Sequence, residues 1–158
     1  MCAFDDVFLI VNLQVIETSL SQLPWQQLQS VLDTCFPRPP RDVFQRVVAS
    51  SHQSQRAWLA MDGSSLVGIV MLSPHSKGGH LDNLAVDPDV RSQGIGRQLV
   101  KALLEAVAAE GPAMVTLTTR IPTFFASFGF LACGELDDGS TAMLLLLPSP
   151  SISKSLTP

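Results

Sequence analysis

Two groups of residues in this chain have types and spacings that could do chemistry. The first is Arg91-x-x-Gly94-x-Gly96, which follows a β-branched apolar run and opens an amphipathic stretch. A turn from a strand into a helix exposes the first free N–H groups of the helix and its positive dipole end. Glycines there let a phosphate approach the backbone closely. Arg91, Arg97 and Lys101 put cations where a helix alone prefers negative charge, which makes sense if an anion binds. The plain alternative is a tight turn with two glycines and no ligand. The pattern is not a P-loop, because no Gly-Lys-Ser/Thr ends it. It is not a dinucleotide fingerprint either, because Leu99 stands where the third glycine would be. The second group is His80-Leu81-Asp82. A strand's period of two puts His80 and Asp82 on one face. An imidazole there is suited to take up a proton near neutral pH. The alternative is a surface histidine beside the Lys77-Gly78-Gly79 turn, with Asp82 merely solvated.

These groups need elements to hold them. The helix 95–110 carries an apolar stripe of Ile95, Leu99, Leu103 and Val107, and Gly111-Pro112 ends it. Strands are expected at 7–15, 57–61, 66–72, 81–86, 114–119, 131–136 and 141–147. The second and third are joined across Asp62-Gly63-Ser64-Ser65, and the last two across Asp137-Asp138-Gly139-Ser140. Helices are expected at 19–36, with a break near Pro24, at 42–50, and at 123–128. The order is β-αα-βββ-α-β-α-ββ, an α/β chain with about four helices on one mixed, mostly antiparallel sheet of 6–7 strands. One domain over 1–148 is expected, followed by a Pro/Ser-rich disordered tail at 149–158.

The 158 residues are 46% hydrophobic and carry a net charge of −4, with no run of Lys or Arg. A nucleic-acid surface is not expected. Cys2, Cys35 and Cys133 fit no metal or redox spacing and are expected as free thiols in the cytoplasm. No segment reads as a signal peptide, and no apolar run is long enough to span a bilayer.

The stretch Leu81-Asp82-Asn83-Leu84-Ala85-Val86-Asp87-Pro88-Asp89-Val90-Arg91-Ser92-Gln93-Gly94-Ile95-Gly96-Arg97 resembles the acetyl-CoA-binding motif of the GNAT superfamily of N-acetyltransferases. Phe124-Phe125-Ala126-Ser127-Phe128-Gly129-Phe130 resembles that superfamily's next motif, and the likeness covers roughly residues 7–147. The resemblance implies acetyl-CoA as cofactor and a primary amine of a small molecule or peptide as acceptor. It implies that Leu84, Ala85 and Val86 offer backbone groups to the pantetheine arm and the thioester. Ser92, Gln93, Gly94, Ile95, Gly96 and Arg97 would cradle the pyrophosphate, with Arg91 at the entrance. The cofactor would enter where this strand splays from 114–119. His80 falls where histone acetyltransferases of the superfamily carry a general-base glutamate, and His-x-Asp is similar to the His-x-His of arylalkylamine acetyltransferases.

The superfamily's usual general acid is a tyrosine. This chain has none, and Phe125 occupies that position. Ser127 and Cys133 are near in sequence, but normal hydroxyl and thiol acidity makes them weak substitutes. The segment Leu117-Thr118-Thr119-Arg120 followed by Phe124-Phe125 and Gly129-Phe130 resembles the acetyltransferase domain of bacterial N-acetylglutamate synthases. There Arg120 would grip a substrate carboxylate, making an amino acid such as glutamate the acceptor. A protein N-terminus or lysine is another acceptor, and a CoA-binding module without turnover is the reading from a different class. A homodimer could form if 142–147 paired across an edge, with burial of that strand as the alternative.

Overall fold

The structure is a computed structural model, and it describes residues 12–19, 22–35 and 55–148. The elements run β1 (Leu13–Ser19), α1 (Trp25–Cys35), β2 (Arg56–Asp62), β3 (Ser65–Pro74) and β4 (Gly78–Val86). A 3-10 turn (Pro88–Val90) leads into α2 (Ile95–Ala109). Then come β5 (Ala113–Thr119), α3 (Pro122–Ala126), β6 (Leu131–Glu135) and β7 (Thr141–Leu147). The sheet order is β1-β2-β3-β4-β5-β7-β6. β1 and β2 pair antiparallel, as do β5 with β7 and β6 with β7, while β4 and β5 are parallel. A parallel pair needs a long crossover, and α2 is that crossover.

The mixed α/β class and the element order are those read from the sequence. Three α-helices lie among the described residues. The expected helix at 42–50 and the tail at 149–158 fall outside them. The sequence pattern puts the first strand at 7–15, and its described part runs Leu13–Ser19. Long-range pairing sets that position: every residue of β1 has a partner in β2, and Arg56 Nε donates to Glu17 Oε1 at 2.7 Å. The first helix starts only after Pro24, whose carbonyl accepts the first helical bond, from Leu28 N at 2.9 Å. The strand 142–147 has a neighbour on both sides, so it offers no free edge and the edge-pairing route to a dimer does not apply to it.

The described residues form two compact units, one up to Met71 together with Asn83–Ala102, the other Leu72–Asp82 with Leu103 onward. The strands β3 and β4 and the helix α2 each contribute to both. The first unit buries Leu28, Leu32, Ile69 and Met71 against Leu23, Leu59 and Ala85. Gly68 in β3 lets α2 sit close to the sheet: a Cβ there would lie 3.0 Å from Leu99 Cδ1 and 3.2 Å from the Ala85 carbonyl. The second unit buries Leu72, Leu81, Leu103, Val107, Val115, Leu117, Phe125, Phe130 and Met143.

At the start of β4 the chain crosses very close to β5. Gly78 has φ +112°, and a Cβ there would lie 2.0 Å from the Met114 carbonyl oxygen. Neither backbone can yield without breaking the ladder in which Gly78, Gly79 and His80 face Met114, Val115 and Thr116. Gly78→Ala is therefore expected to destabilise the fold by about 3 kcal/mol or more, from overpacking plus a forbidden backbone angle. A fall in the urea midpoint checks this; an unchanged midpoint would show that the close crossing is not required.

Candidate functional site

The end of β4 and the turn after it are built by local hydrogen bonds. Asp87 caps the 3-10 turn, its Oδ1 accepting from Asp89 N at 3.0 Å, and Asp87 N donates to the Val67 carbonyl at 2.8 Å. Pro88 at the first helical position needs no N–H acceptor. Arg91 leaves the turn extended, Ser92 takes φ +71°, and Gly94 takes φ +77°. The Gly94 carbonyl then accepts the first bond of α2, from Gln98 N at 3.0 Å. The first turn of α2, from Ile95, lies at the positive end of a 15-residue helix, where backbone N–H groups precede the regular intrahelical acceptors. Nothing lies within 4 Å of where a Gly94 Cβ would stand, so there is room for an anion against the backbone. This arrangement fits a pyrophosphate cradle over 92–97. Ile95 is buried and anchors the turn, while Ser92, Gly94, Arg97 and Lys101 are exposed and Gln93 and Gly96 half-buried.

Arg91 does something its position in sequence did not show. Its Nε donates to the Val86 carbonyl at 3.1 Å and its Nη2 to Cys35 Sγ at 3.5 Å. Cys35 Sγ–H itself donates to the Val86 carbonyl at 3.2 Å. Both lone pairs of Val86 are thus engaged within the chain, and Arg91 ties the turn to the end of β4. Leu84 is half-buried, and Ala85 is buried with its carbonyl directed at Gly68.

His80 and Asp82 do share a face of β4. His80 Nε2 stands 3.6 Å from Asp82 Oδ1, both half-exposed. That is longer than a well-formed hydrogen bond. His80 Nδ1 lies 2.8 Å from Thr116 Oγ1, and Ser73 Oγ donates to Asp82 Oδ2 at 2.8 Å. Thr116 and Ser73 were missed in the sequence. The signal for Thr116 is the parallel register, which only the fold supplies. The ladder between β4 and β5 ends at the His80–Thr116 pair. Just beyond it Asn83 takes φ +54° and donates from Nδ2 to Met71 Sδ at 3.7 Å, so β4 leaves the regular extended form there.

Phe125 is buried, edge-on to Phe124 at 4.9 Å and to Phe130 at 5.8 Å. It is core, with no proton to give. Ser127 Oγ donates to the Phe124 carbonyl at 2.6 Å, within its own turn. Cys133 is exposed on β6, its Sγ 3.6 Å from the Leu131 carbonyl. Arg120 is exposed, and its Nη2 lies 3.8 Å from Asp138 Oδ2. Asp138 Oδ1 also accepts from Ser140 N at 2.9 Å and, closely, from Ser140 Oγ. The Ser140 side-chain bond is the main cause holding Asp138 below the ordinary carboxylate range, then the Ser140 backbone, with Arg120 adding to it. Among the described residues, no group of three or more His, Cys, Asp or Glu is placed to hold a metal ion, and no helix is long and apolar enough to cross a membrane.

An acetyltransferase (GNAT) domain model matches residues 53–131. A peptidyl-lysine N-acetyltransferase, YjaB of Salmonella typhimurium, is 36% identical over 84 residues, 51% of this chain and 55% of that protein. The chain spans about half the length of the curated relatives it matches. An aminoglycoside 6'-N-acetyltransferase from Enterococcus faecium superposes with a TM-score of 0.73 at 20% identity, over 87% of this chain and 99% of that one. The PaiA N-acetyltransferase of Thermoplasma acidophilum, solved in complex with coenzyme A, superposes with a TM-score of 0.66 at 15% identity, over 84% and 98%. At these identities the structural likeness establishes the fold.

Two substitutions test this local account. Gly94→Ala is expected to cost about 1–2 kcal/mol, because the left-handed backbone disfavours a Cβ while the space around it is open; chemical denaturation reads it, and no loss would contradict the turn geometry. Ser140→Ala is expected to move the Asp138 carboxyl back up toward its ordinary range. The depressed value means Asp138 adds stability above the unfolded carboxylate range and loses it as pH falls. In Ser140→Ala that acid-side loss should shrink, which carboxyl NMR titration beside acid unfolding will show or refute.

Proposed function

We propose that this chain, which belongs to the acetyltransferase (GNAT) family, moves an acetyl group from acetyl-CoA to the primary amine of a small molecule or peptide. The observation that carries this reading beyond the family is the pairing of His80 with Asp82 on the strand that leads into the 92–97 turn. Acetyl-CoA, when bound, supplies an activated acyl thioester. The residues do the rest. The N–H groups of the 92–97 turn hold the pyrophosphate. Arg91 steadies that turn through Val86 and Cys35 rather than reaching for the anion. Asp82 Oδ1 attracts an incoming ammonium, and His80 Nε2 accepts one of its protons, freeing the nitrogen lone pair to form the amide bond. The second N–H proton, released after that bond forms, goes to solvent or to the departing thiolate, since Phe125 has none to give.

A relative named for peptidyl-lysine acetylation supports a cationic amine as the acceptor class. Arg120 as a grip for a substrate carboxylate draws no support from its surroundings, because its guanidinium already faces Asp138. One observation favours a second reading, a CoA-binding module without turnover: the ring at Phe125 is buried core where a proton donor would be expected.

His80→Gln is expected to lower kcat/KM at neutral pH by about a hundredfold, the lower range for loss of a positioned base. If kcat/KM and its pH profile stay as in the parent chain, His80 is not the proton acceptor.

A further inference from the structure

Ser73, Asp82, His80 and Thr116 form one polar run in the second unit. Ser73 Oγ donates to Asp82 Oδ2, Asp82 Oδ1 faces His80 Nε2, and His80 Nδ1 meets Thr116 Oγ1. A neutral imidazole carries one proton. If Nε2 is to accept another, the first must sit on Nδ1, and a half-buried N–H there needs an acceptor. Thr116 Oγ1, 2.8 Å away, is that acceptor. Because a hydroxyl both donates and accepts, the same oxygen also satisfies the other tautomer by turning its hydrogen toward Nδ1. With no cation present, the Asp82 carboxylate favours the proton on Nε2. An ammonium reverses this. The 3.6 Å between Nε2 and Oδ1 lets an amine nitrogen stand off their line and reach both at about 2.9 Å, but only if Nε2 presents its lone pair. Asp82 must also keep Oδ1 turned to the ring, and the bond from Ser73 to the other oxygen holds it so.

We propose that Thr116 and Ser73 are positioning residues for a protonated primary amine. Thr116 holds His80 in the tautomer that can accept a proton once the amine arrives, and Ser73 fixes the carboxylate that receives the charge. The inference rests on the transfer reading above, but it concerns where protons sit in this chain and can be read without acetyl-CoA.

The test is side-chain ¹⁵N NMR of His80 in the full chain at about pH 8, above the ordinary histidine range, with and without excess propylammonium chloride. In the parent chain and in Thr116→Ser, the amine is expected to move the proton from Nε2 to Nδ1. In Thr116→Val, which keeps the side chain's shape and strand preference, Nε2 keeps its proton. Thr116→Val should also lower kcat/KM for propylamine about tenfold, part of the range a positioned base supplies, while Thr116→Ser restores it. Ser73→Ala should raise several-fold the propylammonium needed for half the tautomer change. A Thr116→Val chain that responds like the parent overturns the inference, as does a parent chain whose His80 ignores the amine. A tautomer change in the parent with no turnover in any chain leaves this inference standing and counts against the transfer reading alone.

Discussion

The parallel ladder between β4 and β5 is the constraint on which the proposed chemistry depends. It is three residue pairs long, and its last pair is His80 with Thr116. Gly78 makes it possible, since only a residue without a Cβ can pass so close to the Met114 carbonyl. A parallel pair cannot be made by a tight turn, so α2 and the glycine turn before it are required by the same ladder. The crossover that satisfies strand pairing therefore also creates a helix N-terminus, the positive end of α2. One topological need yields a register for His80 and, separately, the turn at 92–97 proposed to take the pyrophosphate.

Charge placement in the chain follows a consistent logic. Asp87 and Asp89 lie at the start of the 3-10 turn, where carboxylates cap free N–H groups. The first turn of α2 carries no acidic residue, and exposed Arg97 and Lys101 stand on its first two turns. That is poor for an isolated helix and suited to one that receives a phosphate. Asp82 is the contrasting case. Its carboxylate is half-exposed on β4, held by Ser73 and aimed at an imidazole, which suits attraction of a cation.

Much of this was legible in the sequence because it is local. The α2 stripe of Ile95, Leu99, Leu103 and Val107 is fully buried, as period 3.6 requires. Period two correctly put His80 beside Asp82. The hairpin across Gly63 and that across Gly139 lie where their turn residues indicated, both glycines having positive φ. What was not legible depends on residues far apart in the chain. Cys35 meets Arg91 across 56 positions, and His80 meets Thr116 across 36. No local pattern encodes either contact. The bounds of β1 shifted for the same reason, since pairing with β2 selects them. The residue type alone shows that Phe125 cannot donate a proton, and its packing against Phe124 and Phe130 gives the physical setting.

Transfer of an acetyl group to a cationic primary amine is read from the release of free thiol from acetyl-CoA by the full chain, with polyamines, arylalkylamines, amino acids and lysine-containing peptides offered in turn. Amine-dependent thiol release is expected with at least one cationic acceptor and is expected to be lost in His80→Gln. Thermal stabilisation by coenzyme A with no thiol release for any acceptor would contradict transfer and leave a binding module. Neither stabilisation nor release would contradict the cofactor reading of the 92–97 turn itself.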